Sequence, residues 1–236
     1  VALVFVFYSS RLPEFTVYVV ELSGTELVAS QSVQEFLESK LAGNYLFLIP
    51  RANSLVFPKQ EMLASLAAAY PEIADVSIIR DGWQKLGVAV TERVPVALWC
   101  TDEEDPSCYL MDKNGFIFTE APEDTTLYVR FSGVVAGDPV GNTYLEGDFD
   151  SFKSFVEELS STTHHTPQSV LVEDNDDVSV TFVQGGVLKF VRTDNREVVL
   201  DNIASVFSSR KLNKNERLDY ADFRFGNKVY VKFIEE

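Results

Sequence analysis

Residues 76 to 99, VSIIRDGWQKLGVAVTERVPVALW, constrain the fold more than any other stretch of the chain. Val76, Ile78 and Ile79 are apolar, and Asp81-Gly82 is a turn signal. Leu86, Val88 and Val90 then alternate with Gly87, Ala89 and Thr91, the period of two expected of a half-buried strand. The two segments read as an antiparallel hairpin. Directly after it, Pro95 has no N–H to give a sheet ladder, so Thr91 to Ala97 predicts the end of one sheet and the start of another. The expected organisation is therefore two domains, residues 11–93 and 94–236, after a short apolar segment at 1–10.

Upstream of the hairpin, Phe15 to Leu22 reads as a strand ended by Ser23-Gly24. Ser32-Val33-Gln34-Glu35 has the form of a capping box and predicts a helix start. Val33, Phe36, Leu37 and Leu41 then share one helical face, and Gly43-Asn44 stops the helix. Tyr45 to Pro50 reads as a short apolar connection tucked under the helices. Pro58 suits the first position of a second helix, whose apolar face is Met62, Leu63, Leu66, Ala67 and Tyr70. The resulting order is β-α-α-β-β, present once and without internal repeat.

Downstream, Val94 to Cys100 and Tyr109 to Met111 read as strands framing an acidic loop. Asp112-Lys113-Asn114-Gly115 is a turn with glycine where positive φ is needed. Strands are expected at Gly115 to Thr119 and Leu127 to Phe131, followed by a glycine-rich loop from Gly133 to Gly147. A helix starting near Asp150 carries Phe149, Phe152, Phe155, Val156 and Leu159 on one side. Ser160 to Gln168 reads as a polar loop. Strands at 169–173, 178–183 and 187–192, a helix at 195–208, and strands at 218–225 and 228–234 complete the pattern. The fold class is α+β: a β-α-α-β-β domain, then a mainly antiparallel β domain with two helices.

With 236 residues, 46% of them hydrophobic, the chain has enough apolar surface for sizeable cores. Its net charge of −16 argues against nucleic acid, whose phosphates need lysine and arginine. The same balance argues against an anionic lipid surface, leaving solubility as the plain role of the acids. Val1 to Tyr8 are apolar and uncharged but too few to span a bilayer, which takes roughly 20 residues. The chain does not begin with Met, and these residues read as the outer end of a truncated transmembrane helix, with Arg11 at its watery end.

No catalytic motif survives inspection, so no enzyme, cofactor or metal is expected. His164 and His165 stand in the polar loop without further ligands. Glu173-Asp174-Asn175-Asp176-Asp177 lacks the Gly and the distant Glu of a calcium loop and reads as an acidic hairpin tip. Asp102, Glu103, Glu104 and Asp105 are consecutive acids on a loop, where carboxylates stay solvated. Cys100 and Cys108 flank that loop; they either bridge across a hairpin or remain two free thiols.

Several motifs stand in one order: Tyr70-Pro71, Val76-Ser77-Ile78, Val88 to Trp99 with its Glu92-Arg93-Val94-Pro95-Val96-Ala97 core, Leu110-Met111-Asp112, Gly115-Phe116-Ile117-Phe118, and Tyr220-Ala221-Asp222-Phe223-Arg224. In this order and spacing the chain resembles the FtsQ/DivIB family of bacterial cell-division proteins, from about Phe15 to Phe233. The resemblance implies that residues 11–93 are a POTRA domain and that 94–236 are that family's β domain. It implies a single-pass membrane protein at the division septum, its bulk outside the cytoplasm, acting by binding FtsB/DivIC-type and FtsL-type membrane partners. The family's L-P-x-L-x-G segment is only approximated here by Leu127 to Gly133.

The last strand alternates Val229, Val231 and Phe233 with Lys228, Tyr230 and Lys232, so one face is expected to pack on a core. As the last strand of the chain it is expected at a sheet edge, which is either open to strand addition or protected by its lysines. The partner-binding residues expected from the resemblance are Arg224, Phe225, Asn227, Val229, Tyr230, Val231 and Phe233. Arg224 is expected to meet a partner carboxylate and Phe225 to supply an aromatic anchor. The alternative function is a POTRA-containing protein of export or outer-membrane assembly, against which stand the single unit and the missing barrel. An extracytoplasmic hydrolase is opposed by the missing site.

Overall fold

The computed structural model describes residues 7–26, 28–101, 106–123, 125–209, 216–226 and 228–235. The chain divides into two compact units, Val1–Arg93 and Val94–Glu236.

The first unit contains β1 (Val19–Ser23), α1 (Ser30–Leu41), β2 (Asn44–Tyr45), β3 (Ile49–Pro50), α2 (Lys59–Ala69), β4 (Ile73–Arg80) and β5 (Lys85–Glu92). Its three-stranded sheet has the order β1-β5-β4, with β1 parallel to β5 and β4 antiparallel to it. The alternation in β5 turns Leu86, Val88 and Val90 inward. They meet Val33, Leu37 and Leu41 of α1 and Met62 and Leu66 of α2 in one core. Each such side chain contributes roughly 1.5–3 kcal/mol on burial.

Three local expectations are corrected here. First, β1 begins at Val19, because Pro13–Phe15 form a 3-10 turn and Thr16 bridges to Asn53 instead. Proline's fixed φ favours that helical start. Second, Ser32 caps nothing. The helix begins at Ser30 with Ala29 as its N-cap, Ser32 N donates to the Ala29 carbonyl at 3.0 Å, and Glu35 accepts from Gln31 at 2.8 Å.

Third, Tyr45 to Pro50 is not tucked away but forms a tight hairpin of β2 and β3, closed by Leu48 N donating to the Tyr45 carbonyl at 2.8 Å. Leu46 (φ 45°) and Phe47 (φ 64°) occupy its tip and are 87% and 89% exposed. Leu46 and Phe47 are the central residues of the turn from Tyr45 to Leu48, within a three-residue loop between the paired Tyr45 and Ile49, and a tip so short has no layer above it to bury its side chains.

The second unit contains β6 (Ala97–Cys100), β7 (Cys108–Met111), β8 (Ile117–Glu120), β9 (Arg130–Gly133), α3 (Phe149–Thr163), β10 (Pro167–Val172), β11 (Asp177–Phe182), β12 (Val187–Val191), α4 (Arg196–Ser209), β13 (Glu216–Phe225) and β14 (Lys228–Glu235). They make a nine-stranded sheet in the order β14-β13-β12-β11-β10-β9-β6-β7-β8. The sheet is mixed: β6–β9, β9–β10 and β12–β13 are parallel and the other pairings antiparallel. Parallel neighbours need a long crossover, which α3 supplies between β9 and β10 and α4 between β12 and β13. Phe131 of β9 lies at the centre of the core, 5.2 Å from the ring of Phe149 and 6.2 Å from that of Phe152. Leu98, Cys100, Leu110 and Phe118 form a smaller separate cluster.

In this unit some apolar residues lie outside the strands, and a polar stretch lies largely within regular structure. Leu127 is exposed and β9 starts only at Arg130. β8 starts at Ile117, not Gly115. The stretch from Ser160 to Gln168 is mostly helix and strand: α3 runs to Thr163, whose Oγ1 donates to the Leu159 carbonyl at 2.7 Å. His164 ends the helix at φ 57°, and β10 begins at Pro167. His165 packs between the rings of Phe182 and Phe207. The acidic loop at 102–105, most of the apolar N-terminal segment (1–6) and Asn227 lie outside the described residues.

Cys100 and Cys108 face each other across β6 and β7 and are joined by a disulfide. A bridge closing so short a loop contributes about 2–3 kcal/mol. Reduction is therefore expected to lower the denaturation midpoint of this unit. A midpoint indifferent to reductant means that the thiols are free.

Candidate partner-binding edge

β14 closes one end of the nine-stranded sheet, and among the described residues no strand lies on its outer side. The opposite end is treated differently. There Ile117 of β8 donates to the Asn142 carbonyl at 2.9 Å and accepts from Gly141 N at 2.8 Å, so a loop covers that edge. An uncovered strand edge presents N–H and C=O groups to whatever chain can pair with them.

The local sequence dictates the geometry of this edge. The turn passes through Gly226 at φ 64°, and β14 folds back on β13 with Ala221 opposite Val231 and Asp222 opposite Tyr230. Leu218, Ala221 and Phe223 of β13 are buried. Val229, Val231 and Phe233 pack partly against the same core, so they hold β14 in place. Tyr230 stands on the other face, 51% exposed, and its ring meets that of Phe225, 54% exposed, edge to face at 5.2 Å. Lys232 Nζ donates to Asp219 at 2.5 Å. Of the residues expected to bind a partner, Phe225 and Tyr230 thus form one exposed aromatic pair beside the edge.

Arg224 is placed otherwise. Its guanidinium donates to Asp222 at 2.9 and 2.7 Å and to Asp177 at 2.5 Å. It clamps β11 to β13 across β12. The hydrogen bond from Arg224, opposed by burial, holds the Asp222 carboxyl below the usual carboxylate range. Hydrogen bonds to Asp222, then Asp177, raise the guanidinium's affinity for its proton. A partner carboxylate competes with two that the chain itself provides.

A cavity of about 420 Å³ opens beside Gly226, lined among others by Asn195, Val198, Asn202 and Phe223. No motif in the sequence marks this hollow. Its one signal was Val198, an apolar residue on the polar side of α4, which is exposed.

The turn from Glu173 to Asp177 joins β10 to β11. Asp176 is bound there by Arg192, which also holds Asp148 at the start of α3. Among the described residues no group of three or more His, Cys, Asp or Glu side chains is placed to hold a metal. No helix among them is long and apolar enough to cross a membrane. No protein-family model matches this sequence, and no curated protein matches it.

Proposed function

We propose that the chain is a membrane-anchored extracytoplasmic scaffold of bacterial cell division, of the FtsQ/DivIB kind, that acts by binding alone. The observation that carries the reading is the edge of β14, beyond which no strand lies among the described residues, with the Phe225–Tyr230 pair beside it. Strand addition supplies main-chain hydrogen bonds, and exposed aromatic residues supply the anchor that dominates interface energetics. The order of elements in the first unit supports reading it as a POTRA domain. The Cys100–Cys108 bridge suits a compartment outside the cytoplasm. In this reading an FtsB/DivIC-type segment adds a strand along β14, an apolar side chain enters the hollow beside Gly226, and FtsL-type partners join the assembly at the septum.

The test is titration of the purified chain with the extracytoplasmic segments of FtsB/DivIC-type and FtsL-type proteins from the same cell. The double variant Phe225→Ala/Tyr230→Ala is expected to weaken binding by about 2–4 kcal/mol. Wild-type affinity in that variant, or no binding by the wild-type chain, overturns the proposal.

A further inference from the structure

We infer that the β2–β3 hairpin of the first unit inserts Leu46 and Phe47 into the interface of a bilayer carrying anionic phospholipids. Turns with positive φ at both central residues favour Asn-Gly there, because those residues tolerate the left-handed region and water. Here the two positions are Leu and Phe, both at positive φ and both almost wholly exposed. Bulky apolar residues held in that backbone conformation and turned outward are an outlier that points to function.

The tip belongs to a larger apolar surface. Arg11 donates to the carbonyls of Leu48 and Phe47, and its guanidinium lies 3.6 Å from the centre of the Phe7 ring. Asn53 Nδ2 donates to the Ser10 carbonyl at 2.9 Å. Residues 7–12 are thereby tied to the hairpin and to the segment after it. Leu12, Leu55 and Val56, all exposed, line a shallow apolar cavity on this surface.

The local charge fits phosphate headgroups. From Ser39 to Gln60 the chain carries Lys40, Arg51 and Lys59 and no acid, against a whole-chain balance of 20 basic to 36 acidic residues. Arg51 N donates to the Gly43 carbonyl at the base of the hairpin, and its Nε to the Lys40 carbonyl. Arg51 pairs with Glu61 and Arg11 is held by the Leu48 and Phe47 carbonyls, which leaves Lys40 and Lys59 as the cations offered to headgroups. The net charge argues against such a surface only as a whole-chain average. At physiological ionic strength charges more than about 8 Å away are largely screened, so the residues flanking the hairpin decide. Apolar residues flanked by lysine and arginine are the composition of an interfacial anchor. The inference stands apart from the division reading, since it uses only the first unit's own surface.

The experiment is flotation of the purified chain with phosphatidylcholine vesicles, with and without roughly one-third phosphatidylglycerol. The test variant is Leu46→Asn/Phe47→Gly, which installs the favoured turn residues and so keeps the fold. The wild-type chain is expected to float with the anionic vesicles, and the variant to bind them less by on the order of tenfold. A Phe47→Trp variant is expected to gain blue-shifted emission over wild type on adding those vesicles. Equal flotation of the two chains overturns the proposal, because residues 1–8 then do the binding. If neither chain floats and sedimentation shows that only the wild type self-associates, the tip is a contact between copies and the proposal also fails.

Discussion

Arg224→Glu is expected to cost the second unit about 3 kcal/mol of stability before any partner is added. Arg224 is the cation shared by Asp177 and Asp222, whose side chains are 20% and 10% exposed. Removing one member of a partly buried ionic group leaves its partners desolvated without compensation, and the glutamate adds a third negative charge. Urea denaturation followed by circular dichroism measures the loss. An unchanged midpoint means that the three side chains do not meet in solution. The acid limb gives an independent check. Asp222 titrates below its unfolded value, so its contribution is complete above the unfolded carboxylate range and is lost as pH falls through its lower folded pKa. The wild-type chain should therefore lose more stability than Arg224→Glu below about pH 4. Weakened partner binding by an Arg224 variant reports on the fold as much as on the interface, whereas Phe225 and Tyr230 are exposed and test the interface itself.

The second large effect is expected at Gly115. Its φ is +81°, and an added Cβ falls 2.2 Å from the carbonyl oxygen of Tyr144 and 3.0 Å from Cβ of Phe149. Both neighbours belong to fully buried residues of the main core and have nowhere to move. Gly115→Ala should thus cost about 4 kcal/mol: roughly 1–2 for the left-handed backbone and up to roughly 3 for overpacking. Gly82 is the control. Its φ is +82° but nothing lies within 4 Å of the added atom, so Gly82→Ala should cost only roughly 1–2 kcal/mol. Thermal or urea unfolding of the two variants separates the terms. Equal losses mean that the Tyr144 carbonyl does not press on Gly115.

Periodicity carried most of the secondary structure. The alternations at 86–90 and 229–233 fall on inward faces of β5 and β14, and Phe149, Phe152, Phe155, Val156 and Leu159 line the buried face of α3. Such patterns are local, because the geometry of a strand or helix decides which neighbours share a face. Turn chemistry is local too, and the glycine needed at 115 has the positive φ its turn demands.

The limits of local reading are just as specific. Ser32 and Glu35 have the spacing of a capping box, but the helix they would open begins two residues earlier. Leu46 and Phe47 are as apolar as any core residue, yet their side chains point into solvent because the hairpin that carries them is too short to be covered.

The sequence by itself determined most of the strands and helices though not their bounds, the apolar side of the periodic ones, and that a proline-marked segment separates two sheets. Only the tertiary structure decided that, among the described residues, no strand lies beyond β14 while β8 is covered by residues 141 and 142. Strand order depends on pairings between distant segments, and periodicity does not record it. For the same reason Arg224 reads as a free cation in the sequence. The carboxylate that binds its Nη1 is 47 positions away, and only folding brings Asp177 to it.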